Sequence, residues 1–168
     1  MKNIELKVNI KNDKKKLQKK LKFIHAIHKG IINQQDIYFN CLSGRLKLRN
    51  NNNKKYELIF YLRPNKKISK TSNYQIIELS KKSINSIKNI LGIVCGFKNT
   101  VKKTRDLWFL KNTRIHLDKV FGIGNFLELE TLVKRNLKAA KKEHGNIIKI
   151  LDLERYKKYS GSYSDMLN

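Results

Sequence analysis

Cysteine, acid and long apolar runs are all scarce in this chain, and each shortage excludes something. The two cysteines among 168 residues, Cys41 and Cys95, stand in no metal-like spacing. A disulfide framework and a structural zinc site are therefore excluded, and a reducing compartment fits. The longest apolar runs reach about five residues, against the roughly 20 that a membrane-spanning helix needs. The N-terminus has no signal-peptide core. A soluble, cytoplasmic chain without membrane contact is expected. Nothing reads as a linker, and the length fits one domain over residues 1–168.

Acid is the scarcest charge: 13 Asp and Glu stand against 38 Lys and Arg, a net charge of +25. Such an excess ordinarily points to a nucleic acid or a membrane surface. With 40% hydrophobic residues spread along the chain, disorder is not the explanation. Base composition is another source of the charge. Lys, Asn and Ile account for 70 residues, and their codons are rich in A and T. The seven arginines resist that drift, and Arg45, Arg49, Arg63, Arg105 and Arg114 fall in strand-like segments. Arginine's planar fork suits phosphate or carboxylate in a way that lysine's point charge does not.

Those segments alternate with period two, the mark of a strand with one apolar and one polar face. Ile4, Leu6, Val8 and Ile10 alternate with Glu5, Lys7 and Asn9. Leu46 and Leu48 stand against Arg45, Lys47 and Arg49. Tyr56, Leu58, Phe60 and Leu62 stand against Glu57, Ile59, Tyr61 and Arg63. Lys103 and Arg105 share a face, as do Arg114, His116 and Asp118, and Glu128 and Glu130 oppose Leu127 and Leu129. A polar strand face ordinarily meets solvent. Here Glu5, Glu57, Asp118, Glu128 and Glu130 are five of the 13 acids, all at alternate strand positions beside bases. An antiparallel barrel with apolar residues outward under helices, and both charge signs inward, accounts for this better.

Three helices are expected on the outside. Residues 12–29 carry Leu17, Leu21, Ile24 and His28 at helical spacing, with Gly30 as a stop. Residues 80–91 would bury Ile84, Ile87, Ile90 and Leu91 and end at Gly92. Residues 134–151 repeat at Leu137, Ala140, His144, Ile147 and Leu151. Gly122-Ile123-Gly124-Asn125 reads as a β-turn, since no helix follows it.

An inward row of Lys7, Arg45, Lys47, Arg49, Arg63, Lys103, Arg105 and Arg114 would bind a polyphosphate. The carboxylates Glu5, Asp118, Glu128 and Glu130 in the same cavity would repel it, unless they hold divalent cations. Mg²⁺ or Mn²⁺ takes oxygen ligands, usually a carboxylate or two plus substrate phosphates. The combination points to a metal–triphosphate complex.

Asn3-Ile4-Glu5-Leu6-Lys7 resembles the Glu-x-Glu-x-Lys opening of the CYTH, or triphosphate tunnel metalloenzyme, superfamily. Gln35-Asp36-Ile37-Tyr38-Phe39, Leu46-Lys47-Leu48-Arg49 and Lys103-Thr104-Arg105 resemble its next three motifs. Asp118, Gly122, Gly124, Phe126, Glu128 and Glu130 resemble its Asp-x-Val…Gly-x-Phe-x-Glu-x-Glu block. The ending Gly161 to Leu167 resembles the Ser-Tyr-x-x-Leu-Leu tail of the class IV adenylyl cyclase branch. In order and spacing, the motifs cover residues 3 to 167.

The resemblance implies an α+β fold: an eight-stranded antiparallel tunnel barrel with helices outside. It implies that Glu5, Asp118, Glu128 and Glu130 hold Mg²⁺ or Mn²⁺. Lys7, Arg49, Arg63, Lys103, Arg105 and Arg114 would grip the triphosphate, joined by Arg45 and Lys47 on the pattern of the strand face, with Lys7, Arg105 and Asp118 in catalytic roles. Asn3 departs from the motif, since the family has a first Glu there. His116 reads as a structural histidine more readily than a base or an adenine contact. Asp36 and Tyr38 read as strand-shaping residues, and Tyr163 as a residue that closes the tunnel mouth or pins the tail.

Three functions follow. The first converts ATP to cyclic AMP and pyrophosphate. The second hydrolyses thiamine triphosphate, tripolyphosphate or a nucleoside triphosphate. The third is a non-catalytic module binding RNA or triphosphate ends, which the inward carboxylates oppose. A symmetric homodimer is an expectation of the family alone.

Overall fold

The computed structural model describes residues 2–62, 70–134 and 136–167. Eight strands form one closed antiparallel barrel: β1 (Lys2–Asn9), β2 (Ile27–Phe39), β3 (Arg45–Asn51), β4 (Lys55–Leu62), β5 (Lys70–Leu79), β6 (Phe97–Leu110), β7 (Thr113–Val120) and β8 (Gly124–Leu132). Their order around the barrel is β1-β5-β4-β3-β2-β6-β7-β8. Three helices lie outside it: α1 (Lys14–Phe23), α2 (Ile84–Cys95) and α3 (Leu137–Ile150). Among the described residues, no helix is long and apolar enough to cross a membrane.

The core sits outside the barrel, between sheet and helices. Leu6 and Val8 of β1, Ile115 and Leu117 of β7, and Leu127 and Leu129 of β8 turn outward. They meet Leu17 and Leu21 of α1, Ile147 of α3, and Leu151 and Leu153 beyond it. Most of these side chains are fully buried; each stabilises the fold by about 1.5–3 kcal/mol relative to exposure. Because side chains alternate across a strand, burying the apolar set outward forces Asn3, Glu5 and Lys7 inward.

α3 follows its sequence pattern. Asn136 caps it, accepting from the Ala139 N–H at 2.8 Å. The first helix is shorter than residues 12–29. It ends at Phe23, His25 takes a left-handed backbone (φ 56°), and the Ala26 N–H closes on the Leu21 carbonyl at 2.9 Å. Residues 27–39 then pair with β6 along their whole length, with a bulge between His28 and Gly30. That long-range pairing overrides the local helical period. His28 is therefore a strand residue. Its Nε2 lies 2.8 Å from Asp106 Oδ1, and its ring packs on Trp108 at 4.5 Å.

The second helix also departs from the sequence reading. It runs through Gly92 and stops at Gly96, whose φ of 75° favours glycine. Gly92 serves packing instead: a Cβ there would lie 2.5 Å from the Phe97 ring. None of its residues is fully buried, and Ile90, expected inside, is 58% exposed.

Candidate active site

The inner face of the barrel encloses a cavity of about 390 Å³. Bases predominate on one side of it and acids on the other, with Lys7, Arg105 and Arg114 among the acids and Asp36 and Glu57 among the bases. β8 and β3 lie four steps apart in the closed order, so they face each other, as do β1 and β2. One wall carries Glu5, His116, Glu128 and Glu130; the wall across from it carries Asp36, Lys47 and Arg49, with Lys103 beside them.

On the basic wall, Asp36 is the hub. Arg49 donates to it twice, from Nε at 2.7 Å and Nη2 at 2.8 Å. Lys103 donates at 2.8 Å and Lys47 at 3.1 Å. Asp36 is fully buried. Burial alone would raise its pKa, but Arg49, Lys103 and Lys47 outweigh it and hold the carboxyl well below its usual range. The lysines feel the opposite balance. Burial, with Arg49 beside it, pushes Lys47 down to about 7 against the pull of Asp36. Burial lowers Lys103 in the same way. Tyr38 and Tyr61 flank Lys47, their ring centres 5.5 and 5.6 Å from its Nζ.

On the acidic wall, Glu128 lies 3.6 Å from Lys7 and accepts from Arg105 at 3.1 Å. Burial would raise its pKa, yet Lys7, His116 and Arg105 keep it well below the usual value. His116 Nδ1 lies 3.7 Å from Glu128 and 3.6 Å from Glu130. This nitrogen is buried and, among the described residues, makes no hydrogen bond. One ligand atom each from His116, Glu128 and Glu130 lies within 4.8 Å of the others. Glu5 pairs with Glu130 across the β1–β8 ladder, and Arg114 lies 3.8 Å from Glu130. A cluster of carboxylates with an orphaned imidazole nitrogen suits a divalent cation.

Arg105 joins the acidic wall to the chain's C-terminal segment. Besides Glu128, it donates to both oxygens of Asp118, at 2.8 and 2.7 Å. The Tyr163 hydroxyl also donates to Asp118, at 3.0 Å. Lys7 Nζ lies 4.0 Å above the Tyr163 ring and donates to the Gly161 carbonyl at 3.0 Å. Asp165 accepts from Arg45 at 2.7 Å, from the Ser162 N–H at 2.8 Å and from Lys98 at 3.4 Å. The tail thus covers the Lys7 and Lys103 end of the cavity.

Glu5, Lys7, Lys47, Arg49, Lys103, Arg105, Arg114, Glu128 and Glu130 all line the cavity. Asp118 lies behind Arg105, with both oxygens engaged. Arg45 ties down Asp165. Arg63 lies outside the described residues. Asp36 and His116, expected from the sequence as structural residues, both line the cavity. The signal for Asp36 is present, because Gln34, Asp36 and Tyr38 alternate inward on β2 as Glu5 and Lys7 do on β1.

The CYTH domain model matches residues 1–163. The chain belongs to the CYTH domain family. Enzymes of this family are metal-dependent, and they are adenylyl cyclases or triphosphatases. No curated protein matches the chain. Among solved structures, the PH1012 protein of Pyrococcus horikoshii OT3 shares the CYTH barrel at a TM-score of 0.85 and 23% identity, covering 99% of each chain. A candidate adenylate cyclase from Vibrio parahaemolyticus gives 0.76 at 17% identity, over 98% of this chain and 97% of that one. A candidate adenylyl cyclase from Hippeastrum, described as having a dominant triphosphatase activity, gives 0.63 at 15% identity, over 95% and 91%. At these identities the likeness is one of fold.

Proposed function

We propose that the chain is a metal-dependent enzyme that converts ATP to cyclic AMP and pyrophosphate. The observation that carries this reading is the two-sided cavity: a cationic wall of Lys47, Arg49 and Lys103 faces an acidic wall of Glu5, Glu128 and Glu130 with His116. Only a ligand that is anionic on one side and metal-bearing on the other complements both. A triphosphate with Mg²⁺ or Mn²⁺ is such a ligand.

Glu5, Glu128, Glu130 and His116 would hold the cation. When bound, it supplies charge neutralisation on the phosphate oxygens. Lys47, Arg49 and Lys103 grip the triphosphate from the other side, already aligned by Asp36, so little reorganisation accompanies binding. Lys7 and Arg105 flank Glu128 and would meet the phosphates. Arg114 reaches the cavity beside Glu130. Asp118 acts through Arg105 and is a positioning residue. In the reaction the substrate's 3′-hydroxyl oxygen bonds to the α-phosphorus as the bond from that phosphorus to the α,β-bridging oxygen breaks, its proton passes to water, and pyrophosphate departs. No protein nucleophile is needed.

RNA as a ligand is disfavoured, because these cations face into a closed barrel beside carboxylates. The test is product analysis of purified protein with ATP and Mg²⁺ or Mn²⁺. Cyclic AMP with pyrophosphate is expected. Inorganic phosphate alone would assign hydrolysis instead, and turnover of no triphosphate would overturn the enzymatic reading.

A further inference from the structure

The chain's two cysteines are far apart in sequence, and the β2–β6 ladder brings them to one place. That ladder ends with Phe39 paired to Phe97. The next residues still meet: the Asn40 N–H donates to the Gly96 carbonyl at 3.1 Å, and the Asn40 side chain donates to the Phe97 carbonyl at 3.5 Å. Cys41 and Cys95 stand one position further along on each side. Antiparallel backbones bonded in this way hold opposite Cα atoms about 4.5–5.5 Å apart, and a disulfide spans Cα separations of about 4.4–6.8 Å. Both thiols are free. Cys41 is exposed, and its Sγ donates to the Gly44 carbonyl at 3.4 Å, a weak bond that a thiol gives up easily. Cys95 is half-buried at the last position of α2.

The same corner of the barrel holds the tail. Arg45, just beyond Cys41, donates to Asp165 at 2.7 Å, and Lys98, just beyond Cys95, donates to it at 3.4 Å. Asn99 donates to the Ser164 carbonyl at 2.9 Å and accepts from the Ser164 hydroxyl at 2.7 Å. The two segments that start at the cysteines are therefore the ones that grip the tail where it covers the cavity.

We propose that Cys41 and Cys95 are a thiol oxidation site: they close a reversible disulfide that staples the end of α2 to the β2–β3 loop and fixes the frame holding the tail. The oxidant is a small-molecule disulfide such as oxidised glutathione. The exposed Cys41 thiolate attacks one of its sulfurs and expels one thiolate. The Cys95 thiolate then attacks the Cys41 sulfur and expels the second. The two protein thiols lose two protons and two electrons, and the oxidant takes them up and leaves as two thiols. In a reducing compartment the pair stays open.

The experiment equilibrates the full chain with mixtures of reduced and oxidised glutathione, then maps its peptides by mass spectrometry without reductant. A peptide pair joined at Cys41 and Cys95 within one chain, and released by dithiothreitol, is expected. The bond closes a loop of about 55 residues, so Tm should rise by about 5–15 °C. Hydrogen exchange over residues 161–167 should slow about 3-fold or more. Cys95→Ser should leave glutathione on Cys41 and lose both effects. Glutathione retained on Cys41 of the unsubstituted chain, a bond between two chains, or no oxidation at all overturns the proposal. So does a joined pair that leaves Tm or the tail's exchange unchanged. The unsubstituted chain decides the matter should the variant not fold.

Discussion

Replacing Asp36 by Asn should make the protein depend on its ligand for stability. In the native chain one buried carboxylate holds Arg49 twice and two lysines besides, at 2.7 to 3.1 Å. Without its charge, Lys47 and Lys103 can shed a proton, and Lys47 already titrates at about 7. Arg49 cannot, so it stays charged, buried and unpaired. Breaking one partner out of a buried ion pair costs about 3–5 kcal/mol. For a domain of this size that lowers Tm by roughly 6–20 °C. Tripolyphosphate with Mg²⁺ brings back the missing anion. The variant should therefore gain more Tm on ligand addition than the parent, because its cations lose their competing internal partner. Melting both proteins with and without ligand tests this. A fall of about 2 °C or less, or a ligand-induced rise no larger than the parent's, would show that Asp36 does not hold the phosphate-binding cations.

Other outcomes follow from the same geometry. Glu128→Gln should reduce metal-dependent turnover about 100-fold or more, an order of magnitude typical of losing a preorganised charged group, and weaken Mn²⁺ binding by titration calorimetry; an unaltered affinity would exclude it as a ligand. Because Lys47 is protonated only below about 7, kcat/KM should fall as pH rises through that value, and Lys47→Arg should remove the inflection. His144 is buried against Thr131, and burial pushes it down to about 4. Between pH 6.5 and 4 the unfolded chain takes up a proton that the folded one refuses, so stability should decline across that window as pH falls. The shift is worth roughly 3 kcal/mol, and urea midpoints of the parent and His144→Gln should show a steeper decline in the parent.

Much of the site was legible because period-two alternation assigns faces without knowledge of partners. Leu6 and Val8 must be buried, so Glu5 and Lys7 lie on the other face; the same rule places Lys47, Arg49, Glu128 and Glu130. It failed where two periods compete. Residues 24–29 satisfy a helical stripe as well as a strand. α2 is apolar enough to look buried, yet leaves Ile90 and Ile93 exposed.

The charge pattern by itself determined that acids and bases share one set of inward faces, and hence that the +25 charge is not all surface. Which acid meets which base is a matter of tertiary structure. Barrel closure sets β3 across from β8, brings Asp36 to Lys47, Arg49 and Lys103, and turns Asp118 toward Arg105 and Tyr163. Alternation along one strand is a local property of the chain. Partnership across the barrel depends on strand order and register, which residues distant in sequence establish only when the sheet closes.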